Sequence, residues 1–174
     1  FNKIDYDEDL KYFCTLHALG KRECGIDTGN QLLKGKKWDA FKAYVGGIAD
    51  KLNFETYATE DGTMVYGNDY IKLINLSKYR KISLENQYSL QEHLQDVSYS
   101  NLQYIDRCLT KFKKETGMFE FVDMISQFIE KQKSPIFDAV FLDEAQDLNN
   151  LQWEMFHYIE SNAKRSYIAG DDDQ

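Results

Sequence analysis

Residues 138–147 read DAVFLDEAQD and residues 166–174 read SYIAGDDDQ. Each opens on a short apolar run and closes on acids. Between them Leu151, Met155, Phe156 and Ile159 recur at helical spacing behind Asn149, a natural N-cap. The run Ala139, Val140, Phe141, Leu142 has no polar break. That suits a strand buried on both faces, as in a parallel sheet, although periodicity by itself does not exclude a buried helix segment. Strand, helix, strand with polar tips is a βαβ unit, for which a right-handed crossover is expected. The fold class expected from this pattern is α/β.

In open α/β sheets ligands sit beyond the carboxyl ends of the strands, where Asp143 and Glu144 emerge. Adjacent carboxylates there suit a division of labour, in which one holds a hard cation while the other orients or deprotonates a water. Capping of the following helix is the alternative, since acids offset the helix dipole. It accounts for one acid more readily than for Asp143, Glu144 and Asp147 together. At the second tip, three successive aspartates repel one another and need a cation, a basic partner or backbone amides. Gln174, neutral with a donor and an acceptor, can bond a phosphate oxygen or an attacking water. An acidic turn with an exposed glutamine is the plainer alternative.

A net charge of −8 argues against broad electrostatic binding of nucleic acid but leaves room for a local basic groove. Candidates are Lys34, Lys36 and Lys37 beside Trp38, Lys78 to Lys81 around Tyr79, and Lys111 to Lys114 around Phe112. Each reads more simply as a solvated surface with one anchoring aromatic. Cys14, Cys24 and Cys108 share no metal-ligand spacing and read as reduced, intracellular thiols. His17, His93 and His157 form no local metal motif. No apolar run is long enough to span a membrane, and no signal peptide opens the chain. A first residue other than Met hints at a piece of something longer.

Residues 11–15 read as a short strand and residues 16–22 as the start of a helix, broken by Gly25 and Gly29. The segment 29–36, GNQLLKGK, resembles a phosphate-binding loop only superficially. Five residues separate Gly29 from Gly35 where four are needed, Lys37 stands where a hydroxyl should, and Leu32 and Leu33 occupy the cradle. Residues 38–118 read as mostly helical. One amphipathic helix carries Trp38, Phe41 and Val45, and another covers 68–79. The clearest carries Leu102, Ile105, Leu109 and Phe112, with Ser100 placed to cap it and Gly117 to end it. Residues 119–131 form a further amphipathic helix with Phe121, Met124, Ile125, Phe128 and Ile129 on one face. Pro135, the only proline, follows it.

Four segments together resemble superfamily 1 helicases of the UvrD/Rep/PcrA type. TLHALG at 15–20 is similar to the family's Thr-Phe-His segment, which touches single-stranded DNA. FEFVDMI at 119–125 is similar to the segment before the Walker B strand, FLDEAQD at 141–147 to Walker B itself, and IAGDDDQ at 168–174 to the motif that senses the γ-phosphate.

The resemblance implies a partial RecA-like (P-loop NTPase) parallel sheet formed by residues 1–21 and 118–174, with residues 22–117 as a large, mostly helical insertion of the 1B type. By position, Asp143 would hold the Mg2+ of ATP through water, and Glu144 would act as general base. Gln174 would contact the γ-phosphate, and Thr15 and His17 would contact DNA. Gln146 and Asp147 match the motif in supporting roles. Packing at a helix start is the other role open to His17.

The implied function is ATP-dependent 3′–5′ translocation on single-stranded DNA and duplex unwinding, in DNA repair or replication. The setting implied is cytoplasmic or nucleoid-associated, with no membrane partner. A Walker A loop, the second RecA-like domain and its arginines are not among these residues. The chain as given is therefore expected not to hydrolyse ATP, whereas the enzyme it belongs to should. Two rivals stand beside this reading: a non-catalytic DNA- or protein-binding module, and a metal-dependent nuclease using Asp143, Glu144 and Asp171 to Asp173.

Overall fold

The computed structural model describes residues 11–50, 52–54, 56–58, 64–91 and 97–171. In chain order its elements are α1 (Leu16–Cys24), α2 (Lys37–Val45), β1 (Thr56–Ala58), β2 (Met64–Tyr66), α3 (Asp69–Arg80), α4 (Leu84–Ser89), α5 (Tyr99–Thr116), α6 (Phe121–Glu130), β3 (Val140–Leu142), α7 (Asn150–Ser161) and β4 (Ser166–Ile168). They fall into two compact units: Phe1–Thr28 with Asp123–Gln174, and Gly29–Val122.

The first unit is mixed α/β with a small parallel sheet. β3 pairs with β4 in the register Val140↔Ser166, Phe141↔Tyr167, Leu142↔Ile168. The connection through α7 follows the expected strand–helix–strand order. Asn149 starts α7 with a full capping box: its side chain accepts from Gln152 N–H, and the Gln152 side chain accepts from Asn149 N–H. Met155, Phe156 and Ile159 on α7 are buried, as are Met124, Ile125 and Phe128 on α6. Gly20 lets α1 approach α6 closely, since a Cβ there would lie 2.6 Å from the Met124 carbonyl oxygen.

Two expectations fail in this unit. Residues 11–15 form a turn rather than a strand, and Thr15, still extended, caps α1 with its hydroxyl accepting from Ala18 N–H. The β3–β4 sheet is not covered on both faces either. Phe141 is 75% exposed, and its ring stacks on that of Tyr167 at 4.8 Å. Tyr167 and Ile168 are also about half exposed, so an unbroken apolar run here does not signify two-sided burial.

The second unit is helical apart from the antiparallel pair β1–β2. Its core is an aromatic and aliphatic cluster in which Trp38, Phe41 and Phe54 meet Leu102, Ile105 and Phe112. Where the chain enters and leaves, Leu33 N–H donates to Phe119 O at 2.7 Å and Phe119 N–H to Gln31 O at 2.8 Å. Leu32 and Leu33 are buried at this seam, so residues 29–36 serve packing. Asn68 caps α3 through its side chain. Ser98, not Ser100, is the N-cap of α5, and the two hydroxyls bond each other at 2.8 Å. Gly117, at φ 69°, ends that helix as expected.

Among the described residues no helix is long and apolar enough to cross a membrane.

Candidate active site

β3 delivers Asp143 and Glu144 to the end of the sheet, and both side chains are exposed. The tips of β3 and β4 are held together by the backbone. Ala169 N–H donates to Leu142 O at 2.8 Å, and Ala145 N–H donates to Ala169 O at 3.0 Å. Asp143 and residues 169–171 therefore lie on one sheet edge, as parallel pairing requires.

The chain turns sharply after Asp143. Glu144 sits in the left-handed region, φ 52° and ψ 45°, where a side chain is unfavourable. A short 3₁₀ turn, Ala145–Asp147, follows and has no side-chain cap. With Asn149 capping α7, neither Asp143 nor Glu144 serves as a helix cap. One oxygen of Asp143 accepts from Glu144 N–H at 3.0 Å, and the other has no hydrogen bond among the described residues. A single exposed carboxylate oxygen fits Mg2+, which prefers one or two carboxylates plus water and substrate phosphates over an all-protein cage. Among the described residues no three His, Cys, Asp or Glu side chains are grouped to hold a metal by themselves.

Gln146 joins the two tips through its side chain. Its Nε2 donates to Glu144 Oε2 at 2.6 Å, and its Oε1 accepts from Asp171 N–H at 3.0 Å. Gly170 makes room for it, since a Cβ there would lie 2.8 Å from Gln146 Oε1. Sequence reasoning gave Gln146 only a supporting role, because nothing in the pattern says where a neutral side chain will reach. Gln174, Asp172 and Asp173 lie outside the described residues.

Thr15 and His17 lie together at the start of α1. Thr15 is exposed, whereas His17 is half-buried. Burial lowers the His17 pKa below its usual value, leaving the ring neutral at pH 7.

Two of the three lysine-flanked aromatics are not platforms for a base: Trp38 and Phe112 are buried in the core of their unit. The side chain of Lys78 and that of Lys113 turn instead to Glu120, a buried acid the sequence did not single out. Exposed aromatics beside cations occur elsewhere in Gly29–Val122. Tyr44 and Tyr104 line a shallow cleft with Arg107, Cys108 and Lys111. Their spacing along α5, at i, i+3, i+4 and i+7, was the available signal.

No curated protein matches the sequence. A family model described as the UvrD/REP helicase N-terminal domain matches residues 8–174. With the match running over nearly its whole length, the chain belongs to the UvrD/Rep helicase N-terminal domain family.

Proposed function

We propose that this chain is part of an ATP-dependent DNA helicase that translocates 3′ to 5′ on single-stranded DNA and unwinds duplex. The supporting observation is that β3 and β4 run parallel and in register, so Asp143, Glu144 and residues 169–171 share one sheet edge. This is where a RecA-like sheet would present its catalytic carboxylates to a nucleotide. Residues 22–117 are then the 1B-type insertion, most of it within the compact unit Gly29–Val122, and residues 1–21 and 118–174 are part of the motor domain.

In this reading Asp143 would hold the Mg2+ of ATP, using the oxygen left over from its bond to Glu144 N–H. When bound, the ion would neutralise charge on the ATP phosphates. Glu144 accepts a proton from the attacking water through its free Oε1, while Oε2 stays engaged with Gln146. Gln174 bonds the γ-phosphate. Thr15 and His17 contact the DNA strand, and neutral His17 does so by hydrogen bonding rather than by charge. In the insertion, Arg107 and Lys111 suit phosphates, and the Tyr44 and Tyr104 rings suit bases. Remaining parts of the motor, a Walker A lysine and arginine fingers among them, come from other segments of the helicase.

The test is ATP hydrolysis by the whole protein with and without single-stranded DNA. DNA-stimulated turnover that disappears in Glu144→Gln supports the reading; turnover retained in that variant removes Glu144 from the mechanism.

A further inference from the structure

We infer that Gln146 is the positioning residue for Glu144, an assignment that rests on the reading of Glu144 as the base. The carboxylate can only accept and the Asp171 N–H can only donate. Chemistry alone therefore fixes the amide orientation, Nε2 toward Glu144 and Oε1 toward Asp171. No other orientation satisfies both ends.

Glu144 is exposed and its backbone is in the left-handed region, so the fold leaves its side chain without packing to select a rotamer. The bond from Gln146 supplies that selection. It engages Oε2 only, and Oε1 has no partner among the described residues. A general base needs this division, with one oxygen anchored and one turned to water.

The far end of the same amide is tied to the backbone of Asp171, three residues before Gln174 in sequence. The base and the start of the phosphate-sensing segment thus share one side chain. Gly170 is part of the arrangement. Its backbone is not left-handed, so space is the only demand on it, and a Cβ would meet Gln146 Oε1 at 2.8 Å.

A bond that merely stitched two exposed loops would affect melting rather than turnover. The two roles separate in kinetics. The whole protein is assayed for DNA-stimulated ATP hydrolysis over a range of ATP concentrations, with thermal melting in parallel. Gln146→Glu keeps the shape and the acceptor but sets a second carboxylate against Glu144. We expect kcat at pH 7 to fall about tenfold or more while KM for ATP stays within about threefold. Gln146→Met removes both bonds at similar volume and should lower kcat about tenfold with KM unchanged.

Wild-type kcat in the folded variants would overturn this inference alone. A lower melting temperature with unchanged kcat would overturn it as well. Absence of turnover in the unmodified protein would overturn the reading of Glu144 and this inference with it.

Discussion

Lys113 donates a 2.8 Å hydrogen bond to Glu120 inside Gly29–Val122, and Asn75 donates to the other carboxylate oxygen at 2.9 Å. Lys78 adds a second positive charge at 3.6 Å. A fully buried acid with two cations and a neutral donor is a satisfied network. Such networks are costly to break from one side, because the partners are left buried without their counter-charge.

Glu120→Gln should therefore destabilise this unit by about 3 kcal/mol, the low end for removing one partner of a buried pair, because Lys113 keeps some contact with water. Urea denaturation of the whole protein, followed by a probe in residues 29–122, measures it. A change under about 1 kcal/mol would show that the network is not holding the unit together.

The same acid sets a pH dependence. Burial by itself would raise the Glu120 pKa. The charges of Lys113 and Lys78, with hydrogen bonds from Lys113 and Asn75, outweigh burial and hold it at about 2 instead of 4.5. A carboxyl lowered on folding stabilises fully above its unfolded value, and that stability is lost as pH falls toward the folded one. Between about pH 4.5 and 2 the denaturation midpoint should drop, and Glu120→Gln should flatten the drop. Asp106 works the other way. Burial raises its pKa against the pull of Lys78 and Lys113, so it takes up its proton earlier on the same descent.

At Glu144 stability and chemistry oppose each other. Glu144→Gln should cut turnover about 10²–10⁴-fold, the usual worth of a general base, with ATP affinity within a few-fold. Glu144→Gly and Glu144→Ala should be equally inactive, yet the glycine variant should be more stable by about 1 kcal/mol. Only glycine accepts φ 52° without strain. Equal stabilities would argue against the left-handed turn.

Thr15 caps α1 and is also proposed to contact DNA, and one substitution separates the roles. Thr15→Asp keeps a capping oxygen, so melting should stay within about 0.5 kcal/mol of wild type. It also brings a negative charge to the strand phosphates, so affinity for single-stranded DNA should fall several-fold, most at low salt. Unchanged binding across salt concentrations would take Thr15 off the DNA.

Sequence legibility followed how local each signal is. β3, α7 and β4 could be read because apolar runs, the Asn149 cap and the 3.6-residue rhythm of Leu151, Met155 and Ile159 are short-range patterns. The parallel pairing followed from the length of the connection. At 11–15 the pattern misled: Tyr12 and Phe13 are aromatic and β-prone, yet both are exposed, and no strand pairs with them among the described residues. The β1–β2 pair was missed although Asp61-Gly62 stands between its strands in the sequence, a strong hairpin signal. Glu120 and Gln146 could not have been found by pattern. Their roles depend on partners 7 to 45 residues away for the first and 25 for the farther partner of the second, distances that only the fold closes.

The bare stack of Phe141 on Tyr167 carries a consequence for how such a chain behaves while it is being made. Until some surface shelters them, two aromatic rings beside a strand with an open edge offer a sticky foothold to any unfolded neighbour. Chaperone dependence and losses to inclusion bodies are then to be sought at this sheet rather than in the well-filled helical unit.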